Sequence, residues 1–112
     1  MNLNPRVTEY VSRKEILANT AGSARRAVTL DGKKFSGIVE AGTALSIDPT
    51  TKKAKPWEDT DTGEAVLLEE TVIVKDSQDV ISVALEAGIV FEYKCTGVTE
   101  AFKDACKLIK FR

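Results

Sequence analysis

The sequence predicts a mainly β fold: a small antiparallel β sandwich or barrel-like domain with a flexible N-terminal arm and one C-terminal α-helix. Three observations predict it. From residue 27 onward, short apolar runs recur between clusters of Gly, Asp, Pro and Thr, the spacing of consecutive strands and turns. A helical period of apolar residues appears clearly only near the C-terminus. The chain has 112 residues, 43% of them apolar, enough for one core without disulfide or metal staples.

Residues 1–26 are read as the arm, and residues 27–112 as the single β-rich domain. The arm holds few strong apolar positions and no glycine before Gly22. Ser12-Arg13-Lys14-Glu15 fits a capping box, which suggests a short helix over 13–19. The alternative is an extended arm, because Val7-Thr8-Glu9-Tyr10-Val11 alternates well enough to add a strand to a neighbour's sheet. Residues 27–30 form a first run, and Asp31-Gly32 before Lys33-Lys34-Phe35 predicts a type I′ hairpin. Gly37 and Gly42 mark bends around Ile38-Val39-Glu40-Ala41. Over 43–47, Ala44 and Ser46 lie on one face and Leu45 and Ile47 on the other. Asp48-Pro49-Thr50-Thr51 is a turn by composition. Residues 65–68 and 71–74 read as one long or bulged strand, interrupted by Glu69-Glu70. Residues 75–79 turn the chain into 80–86, where Ile81, Val83 and Leu85 should point inward and Ser82 and Glu86 outward. Ile89-Val90-Phe91 makes a further strand after Gly88. Val98, Ala101, Phe102, Ala105, Cys106 and Ile109 then form one apolar stripe, predicting a helix over 98–111. Thr99 is its cap, with Glu100 in the first turn and Lys107, Lys110 and Arg112 near its end.

Composition excludes more than it assigns. With 16 basic and 17 acidic residues the net charge is −1, so there is no overall basic footprint for nucleic acid. The charge is unevenly spread: +4 over residues 1–34, −8 over 35–92 and +3 over 93–112. An acidic body with basic ends suits an acidic partner or another copy of the chain. There is no histidine, which rules out Ser-His-Asp and Cys-His machinery within the chain. Cys95 and Cys106 fit neither CxxC nor zinc spacing. They read as two buried free thiols or, alternatively, as a disulfide tying the last helix to the preceding segment. Asp59, Asp61, Gly63 and Glu70 echo a calcium loop only loosely, since the glycine comes one position early and the flanks are not helical. That stretch is expected to be a solvated turn, with no metal site. Glu69 and Glu70 face opposite sides of a strand and do not converge. No phosphate-binding GxxxxGK[ST] occurs. No cofactor, no small-molecule substrate and no catalytic role are expected. No uncharged apolar run approaches a membrane span, and no signal peptide is visible.

The segment GIVEAGTALSIDPTTKKAKPWEDTDTGEAVLLEETVIVKDSQDVISVALEAGIVFEYK, about half of the chain, resembles the small head decoration proteins of tailed bacteriophages and prophages. Three motifs carry the resemblance. They are Ala41-Gly42-Thr43-Ala44-Leu45, the strand Gly63-Glu64-Ala65-Val66-Leu67-Leu68-Glu69, and a last strand from Val83 to Gly88. The resemblance implies a virion structural protein on the outside of the capsid, assembled in the bacterial cytoplasm. Its implied partners are the major capsid protein and further copies of itself, as a trimer. It implies no enzyme activity and no cofactor. A tail or neck component of the same kind of particle is the alternative within this class, and a small β domain that captures a peptide or sugar is the alternative outside it. The residues expected to contact capsid or neighbouring subunits are Arg6, Val7, Tyr10, Val11, Arg13, Ile16 and Leu17 of the arm, together with Trp57. The tryptophan has a competing role as a cover over one end of the sheet.

Overall fold

The structure, a computed structural model, describes residues 15–112. It is mainly β, with one short helix near the C-terminus. Five strands pair in a ring. β1 (Leu17–Leu30) runs antiparallel to β7 (Val80–Val90), β7 to β5 (Ala65–Leu68), β5 to β3 (Ala44–Ile47), and β3 to β4 (Ala54–Pro56). The ring closes where β4 meets β1 in parallel at one pair, Leu30 with Ala54, fastened by Asp31 N–H donating to the Ala54 carbonyl at 2.9 Å. A separate two-stranded ribbon joins β2 (Gly37–Val39) to β6 (Val72–Val74). Leu17 stands opposite Val90 and Leu30 opposite Val80, so at about 3.3 Å per residue the bulged β1 and β7 run together for about 33 Å of a molecule 49 Å in its longest dimension.

Two cores lie on the two sides of this wall. The inner cluster takes Val28 and Leu30 from β1, Leu45 and Ile47 from β3, Ala54 from β4, Val66 and Leu68 from β5 and Ala84 from β7. All five ring strands contribute, so this is the ring's interior, and Val39 and Val74 of the ribbon close it. The outer cluster takes Ala44, Leu67 and Leu85 from the opposite faces of β3, β5 and β7. Helix α1 (Glu100–Ala105) and strand β8 (Ile109–Phe111) cover them with Phe102, Cys106 and Ile109. Strands covered on both faces read as unbroken apolar runs, which is why ALSI and AVLL carry so little alternation.

Several expectations need correction. Residues 17–26 are not an arm or a helix: they are the first part of β1, in register with β7 from Leu17 opposite Val90 to Leu30 opposite Val80, with bulges on the way. The Glu15 carboxylate accepts from the Leu17 N–H at 3.2 Å at the entry to β1; Ser12, Arg13 and Lys14 of the expected capping box lie outside the described residues. Asp31-Gly32 does form a turn, with Lys34 N–H donating to the Asp31 carbonyl, but β1 and β2 on either side of it do not pair. Gly32 is needed for another reason. A Cβ there would sit 2.3 Å from the Gln78 carbonyl carbon, so the turn packs directly on the β6–β7 turn.

Residues 65–74 are not one strand either. β5 belongs to the ring and β6 to the ribbon, and Glu69 leaves the sheet with its N–H still donating to the Val83 carbonyl. In β7, Ile81, Val83 and Leu85 do share a face, but it is the outer one. Only its Leu85 end is covered, so Ile81 is 79% exposed, while Ser82 is 7% exposed in the ring. Ser82 stands opposite the buried Val28, and partners opposite one another face the same side.

The C-terminal helix is six residues, not fourteen. Thr99 caps it as expected, its hydroxyl accepting from Phe102 N–H. At Cys106 the backbone leaves helical geometry, and β8 pairs in parallel with β7. A longer helix would leave the edge of β7 without partners. Instead, Gly88 N–H donates to the Leu108 carbonyl, Arg112 N–H to Val90 and Glu92 N–H to Arg112. Ile109 is buried in either arrangement, so the apolar stripe alone could not separate them.

Candidate functional site

The candidate contact residues divide sharply. Arg6, Val7, Tyr10, Val11 and Arg13 lie outside the described residues, as does the strand expected over 7–11. Ile16 and Leu17 are 0% and 8% exposed and belong to the outer cluster, so the chain's own core has taken these two apolar side chains and they are not surface contacts. The Phe91 N–H donates to the Ile16 carbonyl at 2.9 Å, and Lys94 Nζ donates to that of Glu15 at 2.9 Å, fixing this entry against the end of β7.

Trp57 is half-buried at the rim of the outer cluster. Its ring meets Phe102 edge-on, with centroids 5.3 Å apart and planes at 77°. Its Nε1–H donates to Asp59 Oδ1 at 2.9 Å, and the Thr99 hydroxyl donates to the same oxygen at 2.7 Å. One carboxylate therefore ties the tryptophan to the helix cap, and the covering role of Trp57 is the one the geometry displays.

The rest of the acidic loop is built in as well. Asp61 accepts from Lys55 Nζ at 2.7 Å and from Glu58 N–H at 2.8 Å, with 13% of its side chain exposed. Burial alone would raise the Asp61 carboxyl, but the hydrogen bonds from Lys55 and Glu58 outweigh it and hold the group below its ordinary value. Lys55 shows the mirror image, raised by Asp61 and Glu58 against a burial that would lower it. Gly63 closes the loop where a Cβ would lie 1.9 Å from the Ile47 carbonyl oxygen. Among the described residues, no three His, Cys, Asp or Glu side chains are grouped to hold a metal.

The basic charge of the N-terminal third is partly spent inside the molecule. Arg25 Nε reaches both oxygens of Glu69, at 2.5 and 2.7 Å. That pairing raises the Arg25 guanidinium, first by hydrogen bonding and then by charge. Arg26 reaches Glu64 at 2.6 Å and lies 3.7 Å from Glu86. At the opposite end of β7, Lys53 and Gly32 N–H converge on Asp79, which holds that carboxyl below its ordinary value.

Among the described residues, four large apolar side chains stand in solvent: Ile38, Ile81, Tyr93 and Leu108, at 64–79% exposure. None was singled out from the sequence as a surface contact. Tyr93 and Leu108 flank the strand pair β7–β8, and the Lys94 ammonium lies over both the Phe91 and Tyr93 rings at 5.2 and 5.8 Å. The available signal was Tyr93 between the charged Glu92 and Lys94, which favours exposure. Ile81 had no such signal, because its alternation with Val83 and Leu85 suits a buried strand.

The chain matches no family model, and no curated protein matches it significantly. No helix among the described residues is long and apolar enough to cross a membrane.

Proposed function

We propose that this protein is a non-enzymatic structural protein of a phage or prophage virion, decorating and stabilising the capsid from outside. The observation that supports the reading is a convergence. The three segments carrying the resemblance are separate in the chain but adjacent in the sheet. Ala44 of the first stands opposite Leu67 of the second, and Leu67 stands opposite Leu85 of the third. One position of each segment, Ala44, Leu67 and Leu85, therefore lies in a continuous row of core positions, where side-chain size dictates the fold.

Two further features suit a protein that works by contact. β1 meets β4 at one pair, so most of its second edge has no strand beside it among the described residues. β8 is an outer strand on the other flank of β7. Edges of this kind accept a strand from a partner through main-chain hydrogen bonds. In this reading the partner is the major capsid protein, and a trimer of this chain is the decorating unit.

Cosedimentation with expanded capsids tests the proposal. The protein should pellet with the particles, saturate at a fixed number of copies per capsid, and raise the temperature at which the particles release DNA. Failure to bind at any ionic strength overturns it. Saturable binding to tails in place of heads moves the protein to the neck or tail.

A further inference from the structure

The turn after β1 holds the only Asp-Gly step in the chain, Asp31-Gly32. Such a step carries a reaction of its own. The glycine nitrogen can attack the neighbouring carboxyl and close a five-membered ring, since no Cβ on the glycine screens the approach. The covalent chain already keeps the two groups within reach of each other, so the fold decides only whether they meet. Here both are tied elsewhere. Gly32 is buried, and its N–H donates to Asp79 Oδ1 at 2.9 Å. Asp79 is itself held by Lys53 Nζ at 2.7 Å. Asp31 Oδ1 accepts from Lys33 N–H at 3.0 Å, and the Asp31 carbonyl accepts from Lys34 N–H at 2.9 Å. The Gln78 carbonyl packs so closely that a Cβ on Gly32 would lie 2.4 Å from its oxygen, which leaves the peptide little room to turn.

We propose that Asp31-Gly32 is a latent isomerisation site, kept as aspartate in the folded protein because the Asp79 carboxylate holds the Gly32 amide. The inference is independent of the function proposed above. In the reaction the Gly32 nitrogen forms a bond to Asp31 Cγ. The amide proton and the carboxyl hydroxyl leave together as one water, giving a succinimide. Water then adds to either ring carbonyl. Opening at Cγ restores aspartate, and opening at the backbone carbonyl gives isoaspartate. One water leaves and one is taken up, so composition is unchanged and nothing is oxidised or reduced. The attack requires the amide to lose its proton, and a negative carboxylate against that N–H opposes the loss.

Isoaspartate carries the main chain through Cγ and lengthens it by one carbon, at a place where length matters. Asp31 N–H donates to the Ala54 carbonyl beside Leu30 with Ala54, the pair that joins β1 to β4. Gly32 seats the same turn on residues 77 and 78, directly before β7. An added carbon displaces Gly32 from Asp79 and loosens the seam of the ring. One carboxylate therefore guards both the geometry of the closure and the chemistry of its turn.

The test is to hold the folded, full-length protein at neutral pH for several weeks, in parallel with a sample in denaturant. Isoaspartate is counted by enzymatic methyl transfer and placed by peptide mapping. The folded protein should accumulate it at position 31 at least about tenfold more slowly than the denatured sample. Asp79→Ala should raise the rate in the folded state about tenfold or more, the effect expected on losing a hydrogen bond to a charged group. Lys53→Ala breaks the ion pair but leaves the acceptor of Gly32 in place, so it should stay near the unaltered protein. If Asp79→Ala does not fold, Asp79→Asn, with the same shape and a weaker acceptor, should move the same way by a smaller factor. Isomerisation of the folded protein at the denatured rate, no isoaspartate at position 31 in denaturant, no acceleration in the folded Asp79 variant, or equal acceleration in Lys53→Ala overturns the proposal.

Discussion

The inner and outer cores are built from the same three central strands, yet they depend on different things. The inner cluster is enclosed by the ring itself: each strand supplies alternate residues, and β2 and β6 close the end. The outer cluster is enclosed by pieces brought from elsewhere, namely Ile16 and Leu17 at the entry, Trp57 from the loop after β4, and α1 with β8 from the C-terminus. An enclosed interior fails only when the ring fails. A covered face can be uncovered while the ring survives, because the cover is held by a six-residue helix, a three-residue strand and a few side-chain contacts.

The largest effect should come from truncating the centre of the cover. Phe102 is fully buried and touches both Trp57 and Phe111, so Phe102→Ala should cost about 3–5 kcal/mol. Amide exchange should rise over residues 95–112 ahead of the ring strands. Uniform exchange across the molecule would break the distinction between the two cores.

Leu68→Ala removes a fully buried side chain from the interior and should cost about 2–5 kcal/mol. Here chemical denaturation should stay a single transition, with no region exchanging early. A separate early transition would show that the interior is not one unit.

A smaller and pH-dependent effect belongs to the loop beneath Trp57. Asp61 is held below its ordinary value by Lys55 and the Glu58 N–H, against burial. Stability from such a carboxylate is whole above its unfolded value and disappears as pH falls through the lower folded one. The acid limb of stability should therefore begin below about pH 4. Asp61→Asn should lower stability at neutral pH and flatten that limb, measured by denaturation from pH 7 to pH 2.

Thr99→Ala removes the helix cap and the link to Asp59, and should cost about 1 kcal/mol, confined to the cover. Ile81→Ser lies on the same face of β7 as Leu85 but beyond the cover, and should change stability by no more than about 0.5 kcal/mol. A larger loss at Ile81 would mean that the outer face is covered along its whole length.

The alternating faces of β3 and the grouping of Ile81, Val83 and Leu85 were legible from the chain because strand periodicity is local. The same holds for Thr99 as a cap, where the hydroxyl needs only the amide three residues on. Which face counts as inside was not legible. Leu85 and Ile81 share a periodicity, and only the return of α1 and β8 buries one and leaves the other in water.

Of the candidate contacts, Ile16 and Leu17 looked like arm residues because few strong apolar neighbours surround them in sequence. Their neighbours in space, Ala41, Ala44, Val90 and Phe102 among others, come from distant parts of the chain. The end of the last helix was undecidable for the same kind of reason. Val98 through Ile109 fits a 3.6 period, and the choice of an extended tail belongs to unpaired backbone groups on β7 that no local pattern encodes. The sequence by itself determined the local periodicity of β3 and β7, the main turns and the apolar faces available for burial. The tertiary structure decided which strands pair, which faces are covered and which charges are neutralised at home, because pairing and burial are contracts between residues that the chain keeps far apart.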